Sequence, residues 1–276
     1  MGDVALRMNA AETTSTERAR RALRKALPST VYKCGARTLD AVSILRVLRR
    51  DEALRVIRGR LPARADMVTV HPRNLQHPFV FRSGTSDVDE VIYTIGRESY
   101  GQYFPDGDIR VILDVGANIG DTAAWYLSRF PKSRVYSIEP DTGNCALCRR
   151  NCAPYGARAV LLKGALWWKE EALWLTTACQ PDGHQVSANR TELPVPAFTV
   201  PGLMRLWDIQ TVDIFRCDIE GAEAEIFSKG SLEWLRQVRC VVIETHSPGC
   251  LAAVSKPLQE FGFGLRSYRN LQYFLR

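Results

Sequence analysis

Residues 111–120, Val-Ile-Leu-Asp-Val-Gly-Ala-Asn-Ile-Gly, limit what this chain can fold into more than any other stretch. An apolar run closes on Asp114 and Val115, a glycine-bearing turn follows, and a helical pattern runs through Trp125 to Phe130. A buried strand feeding a tight turn lets backbone approach a ligand closely, and it opens doubly wound nucleotide-binding sheets. The second landmark stands nineteen residues beyond Gly120, where the short strand Val135–Ile138 delivers Glu139 and then Pro140. An acid at that place accepts hydrogen bonds from two ribose hydroxyls. Together the two landmarks imply a nucleoside-containing cofactor.

A dinucleotide fingerprint needs G-x-G-x-x-G, whose middle glycine seats the pyrophosphate against backbone and helix terminus. Here the turn reads Gly116-Ala117-Asn118-Ile119-Gly120, followed by Asp121. Asn118 stands beside the middle-glycine position, and no pyrophosphate cradle is evident. Asp114 is awkward beside a diphosphate but suits a cationic amino-acid end. S-adenosylmethionine has that end, together with a ribose for Glu139. A nicotinamide-dependent oxidoreductase is the competing enzyme class; a non-catalytic cofactor-binding or scaffolding protein is the competing non-enzyme.

From residue 110 the αβ rhythm is regular. Strands are predicted at 110–115, 134–138, 158–162, 212–217 and 239–244, and helices at 119–130, 142–153, 222–236 in two pieces, and 250–261. Residues 67–82 read as a small strand pair, 165–177 as a β excursion, 178–192 as a polar loop carrying His184, and 201–207 as a short helix. Phe263–Tyr268 and Leu271–Leu275 flank Arg269-Asn270 as a hairpin. Five parallel-type strands ending in an antiparallel hairpin predict an α/β, Rossmann-like, mostly parallel sheet, and suit its methyltransferase variant, in which the last strand inserts antiparallel.

The charge is uneven. Residues 1–65 hold 15 Lys/Arg against 6 Asp/Glu, while the other 211 hold 22 against 24. This predicts a basic helical N-terminal extension over 1–65 and a catalytic body over 66–276. Helical runs are expected at 16–27 and 38–60, the second with Leu39, Val42, Leu45 and Val47–Leu48 on one side and arginines opposite. A basic face of this kind is usually solvated surface. Its functional reading is docking to an anionic partner such as a lipid headgroup. Nucleic acid is disfavoured, since Tyr32 is the one aromatic there and no reader motif occurs. Eight cysteines without a disulfide pattern, no leader-like segment and no apolar run of spanning length predict a cytoplasmic protein.

Four segments together resemble the FkbM-type methyltransferases, over roughly residues 71–275. They are Phe81-Arg-Ser-Gly-Thr-Ser-Asp87 with Glu98-Ser-Tyr100; the turn Asp114–Asp121; Ile138-Glu-Pro140 with Asn151; and Val212-Asp-Ile-Phe-Arg-Cys-Asp-Ile-Glu-Gly-Ala-Glu223 with Ile243-Glu-Thr-His246. The chain departs from the family pattern at Arg216-Cys217, where Lys and an aliphatic residue are usual. The resemblance implies O-methylation, with S-adenosylmethionine, of a hydroxyl on a sugar, glycolipid or polyketide-type natural product. The partner is then a small-molecule or lipid-linked glycosidic acceptor. It places Asp114, Gly116, Ala117, Asn118, Gly120 and Asp121 around the methionine portion and Glu139 on the ribose. Thr85, Asp87 and Tyr100 fall on a segment covering the cofactor.

Methyl transfer is an in-line displacement whose acceptor hydroxyl must lose a proton, so a base or a metal belongs near the methyl. Asp218 and Glu220 follow the fourth strand of the sheet in sequence; Glu244 and His246 end the fifth. His246 as general base, with Asp218 and Glu220 beside it, is the arrangement favoured here. Its competitor is a divalent ion, Mg²⁺ or Mn²⁺, held by Asp218, Glu244 and His246; a merely hydrogen-bonded His246 is the bland alternative. Glu223 reads as an acid stabilising a helix start. Cys145, Cys148 and Cys152 have ligand-like spacing, yet i, i+3, i+7 on a helix is one apolar stripe, and core packing is expected. Trp167, Trp168 and Trp174 are expected to pack rather than stack on a sugar.

Overall fold

The computed structural model describes residues 29–60, 66–176, 185–187, 193–219, 222–245 and 247–276. Strands that are apolar along their whole length need cover on both faces, and that need shapes the centre of the molecule. The four central strands are β3 (Val111–Val115), β4 (Arg134–Glu139), β10 (Val212–Cys217) and β11 (Val238–Glu244). Every residue of β10 is buried. With β5 (Ala159–Lys163), β12 (Gly264–Tyr268) and β13 (Leu271–Leu275) they form one seven-stranded sheet, ordered β12-β13-β11-β10-β3-β4-β5. Pairing is parallel from β11 to β5, whereas β13 enters antiparallel beside β11 and β12 beside β13. This is the expected α/β, Rossmann-like class I methyltransferase sheet. The hairpin turns at a left-handed Arg269 (φ +58°).

Alternation along the strands feeds two cores. Ile112, Val242 and Tyr273 face one side; Leu113, Phe215, Val241 and Phe274 face the other. The first side is covered by α1 (Ser29–Val47), α2 (Arg50–Arg58), α4 (Asp121–Arg129) and α5 (Thr142–Cys152). A strand pair, β1 (Met67–Val70) with β2 (Phe79–Arg82), and the short α3 (Asp87–Glu90), which runs into a π-turn at Val91–Gly96, complete that cover. The second side is covered by α6 (Val200–Leu206), α7 (Glu223–Ser228) and α8 (Pro248–Glu260). The β excursion is a separate four-stranded sheet, β6-β9-β7-β8, of Ala165–Leu166, Leu193–Phe198, Ala172–Thr176 and Gln185–Ser187. In it Trp167 Nε1 donates to Glu171 (2.9 Å), while Lys169 and Lys229 sit over the Trp168 ring.

The N-terminal extension departs from expectation in two ways. The run over 38–60 is two helices, and its sides sort differently. Ile44, Val47 and Leu48 are buried, whereas Leu39, Val42 and Leu45 are exposed. The buried stripe also carries Asp40, which pairs with Arg60 (2.9 Å) and Arg97. A charge with two partners can be buried, so a count of apolar residues points to the wrong side. Ile44, Leu48, Ala53 and Val56 also share one core with Ile112 and Tyr273. A boundary at residue 65 would therefore cut through that core. The helix expected at 16–27 lies outside the described residues.

Candidate functional site

The strand order reverses between β3 and β10, and there the loops leaving the two carboxyl ends part, the usual place for a ligand crevice in such a sheet. The turn after β3 is built on three left-handed residues, Gly116 (φ +79°), Asn118 (φ +47°) and Gly120 (φ +83°). Gly116 and Ala117 both donate to the Ile138 carbonyl (3.0 and 3.1 Å), tying the turn to β4. A Cβ on Gly116 would lie 1.8 Å from the Asp218 carbonyl oxygen, and one on Gly120 would press on Cys148 and Cys152. The two glycines therefore admit the β10 loop on one side and α5 on the other. Glu139 is 5% exposed and accepts the Asn118 N–H on one oxygen and the Asp141 N–H on the other, each at 2.9 Å. Burial pushes its carboxyl up to about 7, against the pull of those two N–H donors. The buried Asn118 Oδ1 has no hydrogen-bond partner among the described residues. An unmatched buried acceptor on a left-handed residue is what a ligand donor would complete.

Beneath this turn lies Arg216, 3% exposed and the one basic side chain in the apolar run of β10. Its Nη1 donates to the Gly116 carbonyl (2.5 Å), and its Nη2 to Tyr100 Oη and Asp218 Oδ2 (both 2.7 Å). Asp114 Oδ1 is 3.5 Å away, and the Tyr100 ring centroid is 4.9 Å from the guanidinium carbon. Burial alone would lower the Arg216 pKa; Tyr100, Asp218 and Asp114 outweigh it and hold the group charged. Burial pushes the Asp114 carboxyl up, opposed by Arg216 and by the Thr122 hydroxyl, which donates at 2.9 Å.

Beside this network opens a cavity of about 210 Å³, lined by Arg60, Glu90, Tyr93, Arg97, Glu244 and Asn270 among others. Tyr93 donates to Asn270 Oδ1 (2.7 Å), and Asn270 in turn donates to Glu244 Oε1. The cavity thus sits at the carboxyl end of β11 under the π-turn, with carboxylates, an amide and an aromatic ring exposed to whatever enters.

The structure sorts the sequence candidates. The turn residues Gly116, Ala117, Asn118 and Gly120 and the acid Glu139 come together as a single wall. Asp114 lies below that wall, 3.5 Å from Arg216 Nη1 and accepting from the Thr122 hydroxyl. Asp121 is 2% exposed and accepts from the Thr94 hydroxyl (2.6 Å); burial pushes its carboxyl up to about 6 against that bond. It binds the π-turn to α4. Thr85 and Asp87 also act within the protein. Both Asp87 oxygens are taken by Arg82 (2.7 and 2.8 Å), and Arg82 reaches on to Asn144. Thr85 Oγ1 accepts from the Asp87 N–H (3.2 Å). Tyr100 belongs to the Arg216 network instead of a cover over the cofactor. Asn151 clamps Val80 and the Ile119 carbonyl.

Among the catalytic candidates, Asp218 is ion-paired with Arg216. Glu220, His246 and the loop residue His184 lie outside the described residues. No group of three or more His, Cys, Asp or Glu side chains with metal-binding geometry occurs among the described residues. Glu223 is fully buried and accepts the Ile219 N–H (2.9 Å), anchoring the loop before α7. Cys145, Cys148 and Cys152 are buried free thiols: Cys148 and Cys152 pack against Gly120 of the turn after β3, and Cys145 Sγ donates to the Glu139 carbonyl (3.1 Å). Glu90, Tyr93, Arg216 and Asn270 were missed by sequence reasoning. A lone arginine inside Val-Asp-Ile-Phe-Arg-Cys was the one available signal.

Comparison with known proteins matches residues 114–263 to the methyltransferase FkbM domain. The 2-O-methyltransferase NoeI of Sinorhizobium fredii (strain NBRC 101917 / NGR234) is 25% identical over 153 residues, covering 49% of this chain and 62% of that relative. The match therefore spans under two thirds of the relative's length. Similar solved structures include precorrin-6y C5,15-methyltransferase from Geobacter metallireducens GS-15, at 13% identity and TM-score 0.37, covering 62% of this chain and 80% of that one. Another is the Methanococcus jannaschii fibrillarin pre-rRNA processing protein, at 15% identity and TM-score 0.40, covering 76% and 80%. No helix among the described residues is long and apolar enough to cross a membrane.

Proposed function

This chain belongs to the methyltransferase FkbM domain family, and we propose that it transfers the methyl group of S-adenosylmethionine to a hydroxyl of a sugar, glycolipid or polyketide-type acceptor. The observation that carries the reading is the pairing of the Asn118 turn with Glu139: a buried acceptor without a partner among the described residues lies in the turn, and the carboxylate that accepts the turn's Asn118 N–H stands one strand over. These residues fit the donor. The loop 116–120 would lie along the methionine portion and Glu139 would take the ribose hydroxyls. When bound, the donor supplies an electrophilic methyl on a positively charged sulfur.

The protein's own contribution is charge placement and orientation. Arg216 ties Asp114 and Asp218 into one ion-pair network under the turn, so the floor of the crevice is fixed before any ligand arrives. The cavity walled by Glu90, Tyr93, Glu244 and Asn270 offers hydroxyl partners and an aromatic face, which suits a polyhydroxylated acceptor. The 2-O-methyltransferase among the relatives supports oxygen as the methylated atom. Glu220 and His246, which follow β10 and β11 in sequence, keep their role as candidate catalytic groups in this reading, and the basic N-terminal segment that of docking an anionic partner.

The test is calorimetric titration with S-adenosylmethionine and, separately, NAD, followed by mass spectrometry of extracts incubated with methyl-labelled donor. Binding of the donor and a labelled product with a methyl ether support the reading. Binding of NAD alone, or label found on nitrogen, refutes it.

A further inference from the structure

We propose that Glu90 takes the proton of the acceptor hydroxyl, an assignment that rests on the methyl-transfer reading above. Glu90 is the last residue of α3 and stands where the chain passes into the π-turn Val91–Gly96. Such turns recur at functional sites because they re-aim side chains that a regular helix would bury or expose. Its carboxylate lines the cavity at the carboxyl ends of β10 and β11, opposite Glu244 and Asn270 and beside Tyr93.

Accounting for partners singles this carboxylate out. Asp89 is held by Arg60, Asp121 by Thr94, Asp114 by Thr122 and Arg216, Asp218 by Arg216, and Glu244 by Asn270. The Glu90 side chain has no hydrogen bond or ion pair with any described residue, its backbone N–H alone donating to the Ser86 carbonyl (3.2 Å), although it lines the same cavity. A half-buried carboxylate with no partner and direct access to the cavity has its acceptor capacity available to an incoming O–H.

Its surroundings also set the right basicity. The groups acting on it are Asp121 from α4, Asp218 and Arg216 from β10 and Glu244 from β11, with Arg60, Asp89, Tyr93 and Arg97 on the cavity wall. Burial first, and then the carboxylates of Asp121 and Asp218, push its pKa well above the ordinary glutamate value, with Arg216 opposing. A carboxylate whose pKa is raised is a stronger base than one left at its ordinary value. In the step, the acceptor oxygen forms its bond to the methyl carbon while its proton passes to a Glu90 oxygen. The carbon–sulfur bond breaks with its electron pair left on sulfur. The proton then leaves Glu90 to water through the cavity mouth.

The experiment compares full-length wild type, Glu90→Gln, Glu90→Asp and His246→Ala. The probes are methyl-labelled S-adenosylmethionine and total extract of the source cells as acceptor pool, from pH 5.5 to 9. Glu90→Gln should bind the donor with unchanged affinity and melt no lower than wild type, since it removes a carboxylate from an acidic neighbourhood. Its turnover should fall by ~10²–10⁴-fold, and the rise of rate with pH seen in wild type should flatten; Glu90→Asp should restore part of both. Wild-type rate and pH profile in Glu90→Gln overturn the assignment, as does flattening in His246→Ala alone. Absence of donor binding or of label transfer in wild type is a separate failure, that of the methyl-transfer reading itself.

Discussion

Replacing Glu139 with glutamine separates what its charge costs the fold from what its oxygens do for the ligand. The folded protein raises this carboxyl from 4.5 to about 7, which corresponds to roughly 3 kcal/mol. Because the folded pKa is the higher one, the folded state keeps a proton that the unfolded chain has already released. Stability from this group is therefore full below pH 4.5, falls as pH rises through the window from 4.5 to about 7, and is level above it. The side chain is 5% exposed, so solvent screening discounts little of this. Glutamine is nearly isosteric and never ionises, but its amide nitrogen replaces one of the two oxygens that accept the Asn118 and Asp141 N–H groups, a cost that does not vary with pH. Urea unfolding at pH 5, 6, 7 and 8 should follow the difference in stability between the two proteins. From pH 5 to pH 8 the wild type should lose about 3 kcal/mol relative to the variant. Burial also raises the carboxyls of Asp114, Asp121 and Glu90; they are common to both proteins and cancel in the comparison. Donor affinity should move the other way, weakening by about 1–3 kcal/mol because one acceptor oxygen becomes a donor amide. Parallel stability curves across this pH range would refute the buried-proton argument. An unchanged dissociation constant by calorimetry would refute the ribose assignment.

Arg216→Met should destabilise by about 3–5 kcal/mol, because the fully buried Asp114 would lose its counter-charge; thermal melts that match wild type would contradict the network. Gly116→Ala should cost 2 kcal/mol or more in order of magnitude, from a left-handed φ and a clash with backbone. It should be seen as a lowered melting temperature with donor binding lost in parallel. Leu48→Ala should cost about 2–5 kcal/mol, since this fully covered side chain packs into the core of the sheet. Deleting residues 1–60 should yield misfolded protein, because Ile44, Leu48, Ala53 and Val56 belong to the same core. A soluble truncation with normal cooperativity would contradict that role.

Period and punctuation carried most of the architecture. The runs ending at Asp114, Glu139, Cys217 and Glu244 are continuous apolar strands closed by polar residues, and the structure ends each within a residue or two of the reading. The glycine turn was equally legible, because a left-handed position and a close approach both demand the missing Cβ. The cysteine stripe followed from helical spacing alone. These are local properties, written in a dozen neighbouring residues. What tertiary structure alone decided is which charges meet. Arg216 reaches Asp114 and Tyr100 across more than a hundred residues of chain. Asp40 is buried because Arg60 and Arg97 arrive from elsewhere, and among the described residues the arginines beside Glu90 in the fold, Arg60, Arg97 and Arg216, pair with other acids. Pairing of buried charge depends on distance in space, and distance in space is the quantity that a linear pattern does not contain.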